Sequence, residues 1–210
     1  MPTTEIFFPT FKSDAESLAG VRENQWRIPV LFQGVAGIET AYTGQVLEEN
    51  GVSVDPETMR ISLAIEWVEP SFFHAFFPNS EKFKSFVANM KPFMAVPASP
   101  ELYEAAATSS PCLNSEVTQV LRVRSGSATE EAWKRLESRV EDLTGKKAVS
   151  YHAPGIEKDA EFFLGLFGWP SWEEYERVGK DAVVLQCIEN LSDAGKPENI
   201  IVKNKPLALE

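Results

Sequence analysis

The feature that most constrains how this chain can fold is a strand-to-helix corner that occurs twice. In Ile61–Phe77, ISLAIEWVEPSFFHAFF, an apolar strand pattern ends at Trp67, meets Pro70-Ser71 and turns at once into a helical pattern. Roughly a hundred residues later, Glu161–Val178, EFFLGLFGWPSWEEYERV, repeats it with Trp169 and Pro170-Ser171. Ser171 is placed to cap the second helix, since its hydroxyl accepts from a free first-turn N–H, and Glu173 and Glu174 lie where the helix dipole favours negative charge. Two copies of one corner at this separation predict a duplicated unit.

The rest of the chain fills in the same order on both sides. Strand patterns at Thr4–Phe11, Ile38–Leu47, Met59–Trp67 and Leu102–Ala107 alternate with helical patterns at Ser17–Gln33, broken by Pro29, and Ser71–Met94, interrupted by Pro78 and Pro92. In the second half, strands are expected at Val117–Arg124, Lys147–His152, Phe162–Trp169 and Ile200–Val202. Helices are expected from Thr129, as the cap, to Leu143 before Gly145, and from Trp172 to Leu191. Each half therefore reads strand, helix, strand, strand, helix, strand, the split βαβ ferredoxin-like unit. The predicted fold class is α+β, two ferredoxin-like βαββαβ repeats spanning residues 1–107 and 115–210, with Thr108–Asn114, TSSPCLN, as the hinge. Such a unit leaves one sheet face uncovered. Two of them in tandem can turn those faces toward each other and close a barrel around an apolar cavity.

Charge and composition narrow the partners. A net charge of -11 argues against nucleic acid, which is bound by clustered Lys and Arg, and Lys146-Lys147 is the densest basic pair. No apolar run reaches the roughly twenty residues that span a bilayer, and the N-terminus has no secretory pattern, so no membrane partner and a cytoplasmic location are expected. Cys112 and Cys187 are far apart and outside any metal-ligand spacing, which predicts reduced thiols and no metal. With no P-loop, G-x-S-x-G or Gly-rich dinucleotide turn, no cofactor is expected. A monomer satisfies the open sheet faces within one chain; exposed strand edges leave a homodimer open.

The run Ile65-Glu66-Trp67, then Ser71, His74, Phe77, Ser80, Phe83, Phe86 and Lys91-Pro92, resembles the fungal dimeric α/β-barrel proteins related to antibiotic-biosynthesis monooxygenases and EthD-like domains. Leu166–Val178 looks like the same corner, with Tyr175 near the place of the histidine. The resemblance implies a cavity for a small, often polyketide-like or aromatic ligand, and in some members cofactor-free oxygenation, cyclisation or decarboxylation.

The chain has only two histidines. His74, among phenylalanines, is either a general acid or base at the cavity mouth or a helix residue packed against its neighbours. His152 ends a strand, and alternation allows only one of Tyr151 and His152 to point into the barrel. Tyr42 is the Tyr of a central first-half strand. His74, Tyr42 and His152 form the expected catalytic set. Trp67, Trp169, Glu66, Phe77, Tyr151 and Trp26 are the expected substrate contacts, with core packing as the alternative for the aromatics. Glu66 must face away from Trp67, and a carboxylate turned into the lumen must be paired or poised for chemistry. The leading expectation is a cofactor-independent enzyme that cyclises, rearranges or oxygenates a small hydrophobic ligand in the barrel. The rival is a non-catalytic ligand-binding or stress-response barrel, and a third reading leaves the second half supporting the first.

Overall fold

The computed structural model describes residues 1–192 and 195–209; residues 193–194 and 210 of the expected second half lie outside the described residues. The first half comprises β1 (Thr3–Phe7), α1 (Ala15–Asn24), α2 (Arg27–Phe32), β2 (Ile38–Glu49), β3 (Val52–Ser53), β4 (Ile61–Trp67), α3 (Pro70–Phe76), α4 (Glu81–Met90) and β5 (Glu101–Glu104). A short helix α5 (Ser110–Leu113) leads into β6 (Val117–Arg124), α6 (Thr129–Thr144), β7 (Val149–Pro154), β8 (Phe162–Trp169), α7 (Trp172–Glu174), α8 (Ala182–Glu189) and β9 (Glu198–Pro206). A π-helical turn, Tyr175–Gly179, joins α7 to α8.

The strands form one antiparallel sheet in the order β5-β1-β4-β2-β9-β6-β8-β7, so each half has the ferredoxin-like order and the two are sewn together where β2 pairs with β9. The two ends of the sheet meet. Tyr103 of β5 bridges Gly155 just beyond β7, the Ile156 N–H donates to the Leu102 carbonyl at 3.0 Å, and the Leu102 N–H donates to Asp159 Oδ2 at 3.0 Å. Gly155 is required at that seam, because a Cβ there would sit 2.0 Å from the Asp159 carbonyl oxygen. The predicted α+β barrel is thus nearly closed, its seam spanned by one isolated bridge and these hydrogen bonds.

Proline chemistry divides the helices. The ring of Pro29 crowds the carbonyl four residues earlier, and the single expected helix separates at Gln25-Trp26 into α1 and α2. Pro78 pushes Phe77 out of the helical region, to φ -102° and ψ 135°, and the chain restarts at α4 under a Ser80 cap that accepts from the Phe83 N–H at 3.1 Å. Ser171 caps α7 as expected, accepting from the Glu174 N–H at 3.2 Å. Thr129 does not cap α6: it lies inside the helix, and its hydroxyl accepts from the Gly126 N–H at 2.8 Å.

Strand alternation sorts the side chains into three cores. Phe7, Ala41, Leu63, Ile65, Trp67 and Leu102 face α2, α3 and α4. Leu121, Val123, Phe163, Phe167 and Trp169 face α6 and α8, where Trp133, Leu136 and Val140 are buried against them. The third set, including Ile6, Tyr42, Ala64, Tyr103, Tyr151, Leu164, Leu166 and Val202, fills the barrel.

The expected hinge is the main correction to the fold. TSSPCLN folds into the barrel as α5, which buries Cys112 and Leu113 in the interior and anchors itself on Glu66. Ser109 Oγ donates to Glu66 Oε1 at 2.9 Å; the Ser109 N–H and the hydroxyls of Thr108 and Ser110 donate to the same carboxylate. A short polar segment with a proline reads as a linker in sequence, but a buried carboxylate supplies it with a long-range acceptor. Glu66→Gln should destabilise the protein by about 2–4 kcal/mol in urea denaturation, because the amide turns a donor toward donors and leaves buried groups unpaired. Unchanged stability would mean that the linker holds its place without the carboxylate.

Candidate active site

The expected site residues fall in separate places. Tyr42, Glu66 and Tyr151 do point into the barrel, but each is engaged in packing it. Tyr42 accepts a hydrogen bond from Asn114 Nδ2 at 2.9 Å, and the Tyr151 hydroxyl lies 2.9 Å from Thr4 Oγ1, which itself bonds Ser109 Oγ at 3.2 Å. Burial pushes the Tyr151 phenol up to about 12. Burial also acts to raise the Glu66 carboxyl, but the hydrogen bonds from Ser110, Thr108 and Ser109 outweigh it and hold the group below the usual carboxylate range. Glu66 is therefore an ionised, saturated anchor rather than a group poised to exchange protons. The cavity expected between the two sheets is occupied by protein.

Neither histidine joins Tyr42. His74 is exposed on α3, with Nε2 2.7 Å from Glu157 Oε1, and His152 lies on the outer face of β7, stacked on Phe163 at 5.6 Å beside Trp133. Since Tyr151 takes the inward position, His152 must take the outward one. Trp26 is 59% exposed, with the Arg27 guanidinium 4.8 Å over its ring, and contributes to no interior site. The expected catalytic set is thus spread over three locations.

The corner tryptophans lead to a different site. Trp67, wholly buried, donates from Nε1 to Glu5 Oε2 at 2.8 Å. Glu5 pairs with Ile65 on β4 and Leu102 on β5, both in the helix-facing core, so its carboxyl is flanked by apolar side chains. Burial pushes this carboxyl up to about 7, and the Trp67 N–H only partly opposes the rise. Trp67 in turn packs against Phe73 and Phe76 at ring separations of 6.0 and 5.9 Å, and Phe77 stacks on Phe73 at 5.2 Å. Glu5 is half-buried as a residue, with its carboxyl turned toward the apolar layer of Ile65, Trp67 and Leu102. A carboxyl near half-ionisation at neutral pH, held by an indole N–H beside an aromatic cluster, can take a proton and return it.

The second half provides an internal comparison. Thr3 and Glu5 oppose Trp67 and Ile65 in the same way that Val117 and Gln119 oppose Trp169 and Phe167. Trp169 Nε1 donates to Gln119 Oε1 at 3.2 Å, so the repeat keeps the indole and its acceptor but carries an amide that does not titrate. Sequence reasoning missed Glu5, although the signal was present: alternation in Thr3–Phe7 puts Glu5 on the face of Phe7, not on that of Ile6. Among the described residues no group of three or more His, Cys, Asp or Glu is placed to hold a metal ion, and no helix is long and apolar enough to cross a membrane.

No protein-family model matches the chain, and no curated protein matches it in sequence. Solved structures do match. An anthrone oxidase-like protein superposes with a TM-score of 0.63 at 15% identity, covering 99% of this chain and 93% of the other. A protein described as a monooxygenase candidate from Fusobacterium nucleatum gives a TM-score of 0.57 at 11% identity, covering 98% and 94%. An encapsulated DyP-type peroxidase from Mycobacterium smegmatis gives 0.57 at 10% identity, covering 97% and 93%. At these identities the likeness is one of fold, and it places the chain among the α+β barrels.

Proposed function

We propose that the protein is a cofactor-independent enzyme acting on a small aromatic or polyketide-like substrate, with Glu5 as the proton-transfer group. The observation that carries this reading is the Glu5 carboxyl, pushed to about 7 beside Trp67. The substrate lies against the helix-facing side of the first-half sheet, next to Phe73 and Phe77, rather than inside the barrel. Residues 1–107 and 115–210 act as a tandem pair in which the second half supports the first. Ionised Glu5 removes a proton from an acidic carbon or hydroxyl, and the resulting anion cyclises, rearranges or reacts with dioxygen; the protonated carboxyl later returns the proton. The first test compound comes from the name of the anthrone oxidase-like neighbour. Anthrone carries an acidic methylene, and with dioxygen as co-substrate its oxidation to anthraquinone releases one water.

The partly buried rings of Phe72, Phe77, Phe83 and Phe86 suit one second reading, a non-catalytic ligand-binding protein, and Glu5→Gln separates the two. The amide keeps an acceptor for Trp67 but cannot take a proton. An enzyme should lose about 10²–10⁴ of its turnover on anthrone or a panel of phenolic and aromatic ketones, monitored by substrate consumption in air, while still binding the compound. His74→Ala should change turnover little. Turnover undiminished in Glu5→Gln would overturn the assignment.

The same carboxyl makes stability depend on pH in a definite direction. In the unfolded chain Glu5 titrates near 4.5 and in the folded protein near 7. Between those values the native state holds the proton that the unfolded state has lost. The contribution is fully present below 4.5 and disappears as pH rises through 7. Discounted for partial exposure, the difference is about 1–2 kcal/mol. Urea denaturation from pH 4 to 8 should show Glu5→Gln gaining that much relative to the parent as pH rises. Parallel profiles would place the Glu5 pKa at its ordinary value.

A further inference from the structure

The geometry points to a second ligand site on the opposite half of the molecule, a pocket for a single-ring aromatic carboxylate between the C-terminal end of α6 and the outer face of β7 and β8. It is a cavity of about 170 Å³ whose floor is formed by Val140, Phe167 and Trp169, all buried. An apolar cavity of roughly this size, ~150 Å³, accommodates benzene. The floor thus suits one aromatic ring and is too small for a fused polycycle.

The mouth supplies the charge. Gly145 ends α6 in the left-handed region, at φ 67°, which turns the chain so that Lys146 and Lys147 cross the rim. Lys146 Nζ is 3.1 Å from Glu174 and is neutralised by it. Lys147 has no hydrogen-bond or ion-pair partner among the described residues. It is therefore the cation free to meet a carboxylate, with Lys146 beside it able to exchange partners. The carbonyls at the end of α6 oppose an anion there, but part of their acceptor capacity is taken up internally: Thr144 Oγ1 donates to the Val140 carbonyl at 2.9 Å and the Gly145 N–H to the Glu141 carbonyl at 2.8 Å. Ring in the floor and carboxylate at Lys147 is the arrangement that pairs both surfaces.

This site is independent of the Glu5 reading. Behind Trp169 it has the amide of Gln119 where the first half has the carboxyl of Glu5, so its floor carries no counterpart of that proton-exchanging group. The test is a two-dimensional NMR titration of the full chain with benzoate and, separately, with uncharged benzyl alcohol. Benzoate should give saturable shifts of the Gly168 and Val149 amides and the Trp169 indole N–H, with a dissociation constant in the millimolar range or tighter. Benzyl alcohol should bind at least fivefold more weakly. Lys147→Gln, a surface change that leaves folding intact, should weaken benzoate by a similar factor, and Ala148→Phe should abolish the shifts by filling the pocket. No saturable shift at these positions would overturn the site. Equal binding of the two compounds, or full affinity in Lys147→Gln, would overturn the carboxylate.

Discussion

The carboxylate of Glu66 is the constraint from which the internal arrangement follows. A charge enclosed by two sheets is tolerable only if its lone pairs are filled, and the neighbouring strands supply just one weak donor, the Thr40 hydroxyl at 3.4 Å. The remaining donors come from the segment between the two halves. Thr108, Ser109 and Ser110 reach the carboxylate only when that segment enters the barrel, and Cys112 and Leu113 then enter behind them. One ion thus converts a connection between repeats into part of the core. The space between the sheets is spent on packing.

The layers between sheet and helices are not equivalent. In the second half, Trp133, Leu136 and Val140 of α6 are buried in a continuous core, and its corner tryptophan meets a neutral amide. In the first half, α4 buries only Met90, and Phe72, Phe77, Phe83 and Phe86 are only partly buried at the margin of the core. The same corner there meets a carboxyl. The same strand order and corner occur in both halves, and the difference between Glu5 and Gln119 is what separates a group able to exchange protons from one that only accepts a hydrogen bond.

The strands and their order were legible because alternation and turn residues are local. Val117–Arg124 and Phe162–Trp169 match their expected bounds, and the prolines marked where helices divide. What was not legible depends on partners distant in sequence. TSSPCLN carries no sign that Glu66 will recruit it, since their separation exceeds forty residues. The histidines drew notice by rarity, but rarity carries no information about position: one meets Glu157 at the surface and the other fills an outer core. Glu5 was readable in part. Alternation gives its face, yet only the closed sheet shows that Ile65 and Leu102 flank it and that the indole of Trp67 reaches it.

Closure also limits how the two halves can move. Glu48 of β2 is buried, accepts from the Tyr175 hydroxyl at 2.7 Å and pairs with Lys180 at 2.7 Å, so the π-helical turn of the second half is fastened to the first. Asp159, its carboxyl raised by burial, fastens the other seam by accepting from Leu102. With both seams held by buried polar contacts and the interior packed, a hinge between repeats would have to unpair several groups at once. The freedom that remains lies in the outer layers, above all in the partly buried aromatic rings of α3 and α4. Access to Glu5 would therefore require displacing those side chains rather than separating the two halves, with the packed barrel as rigid support.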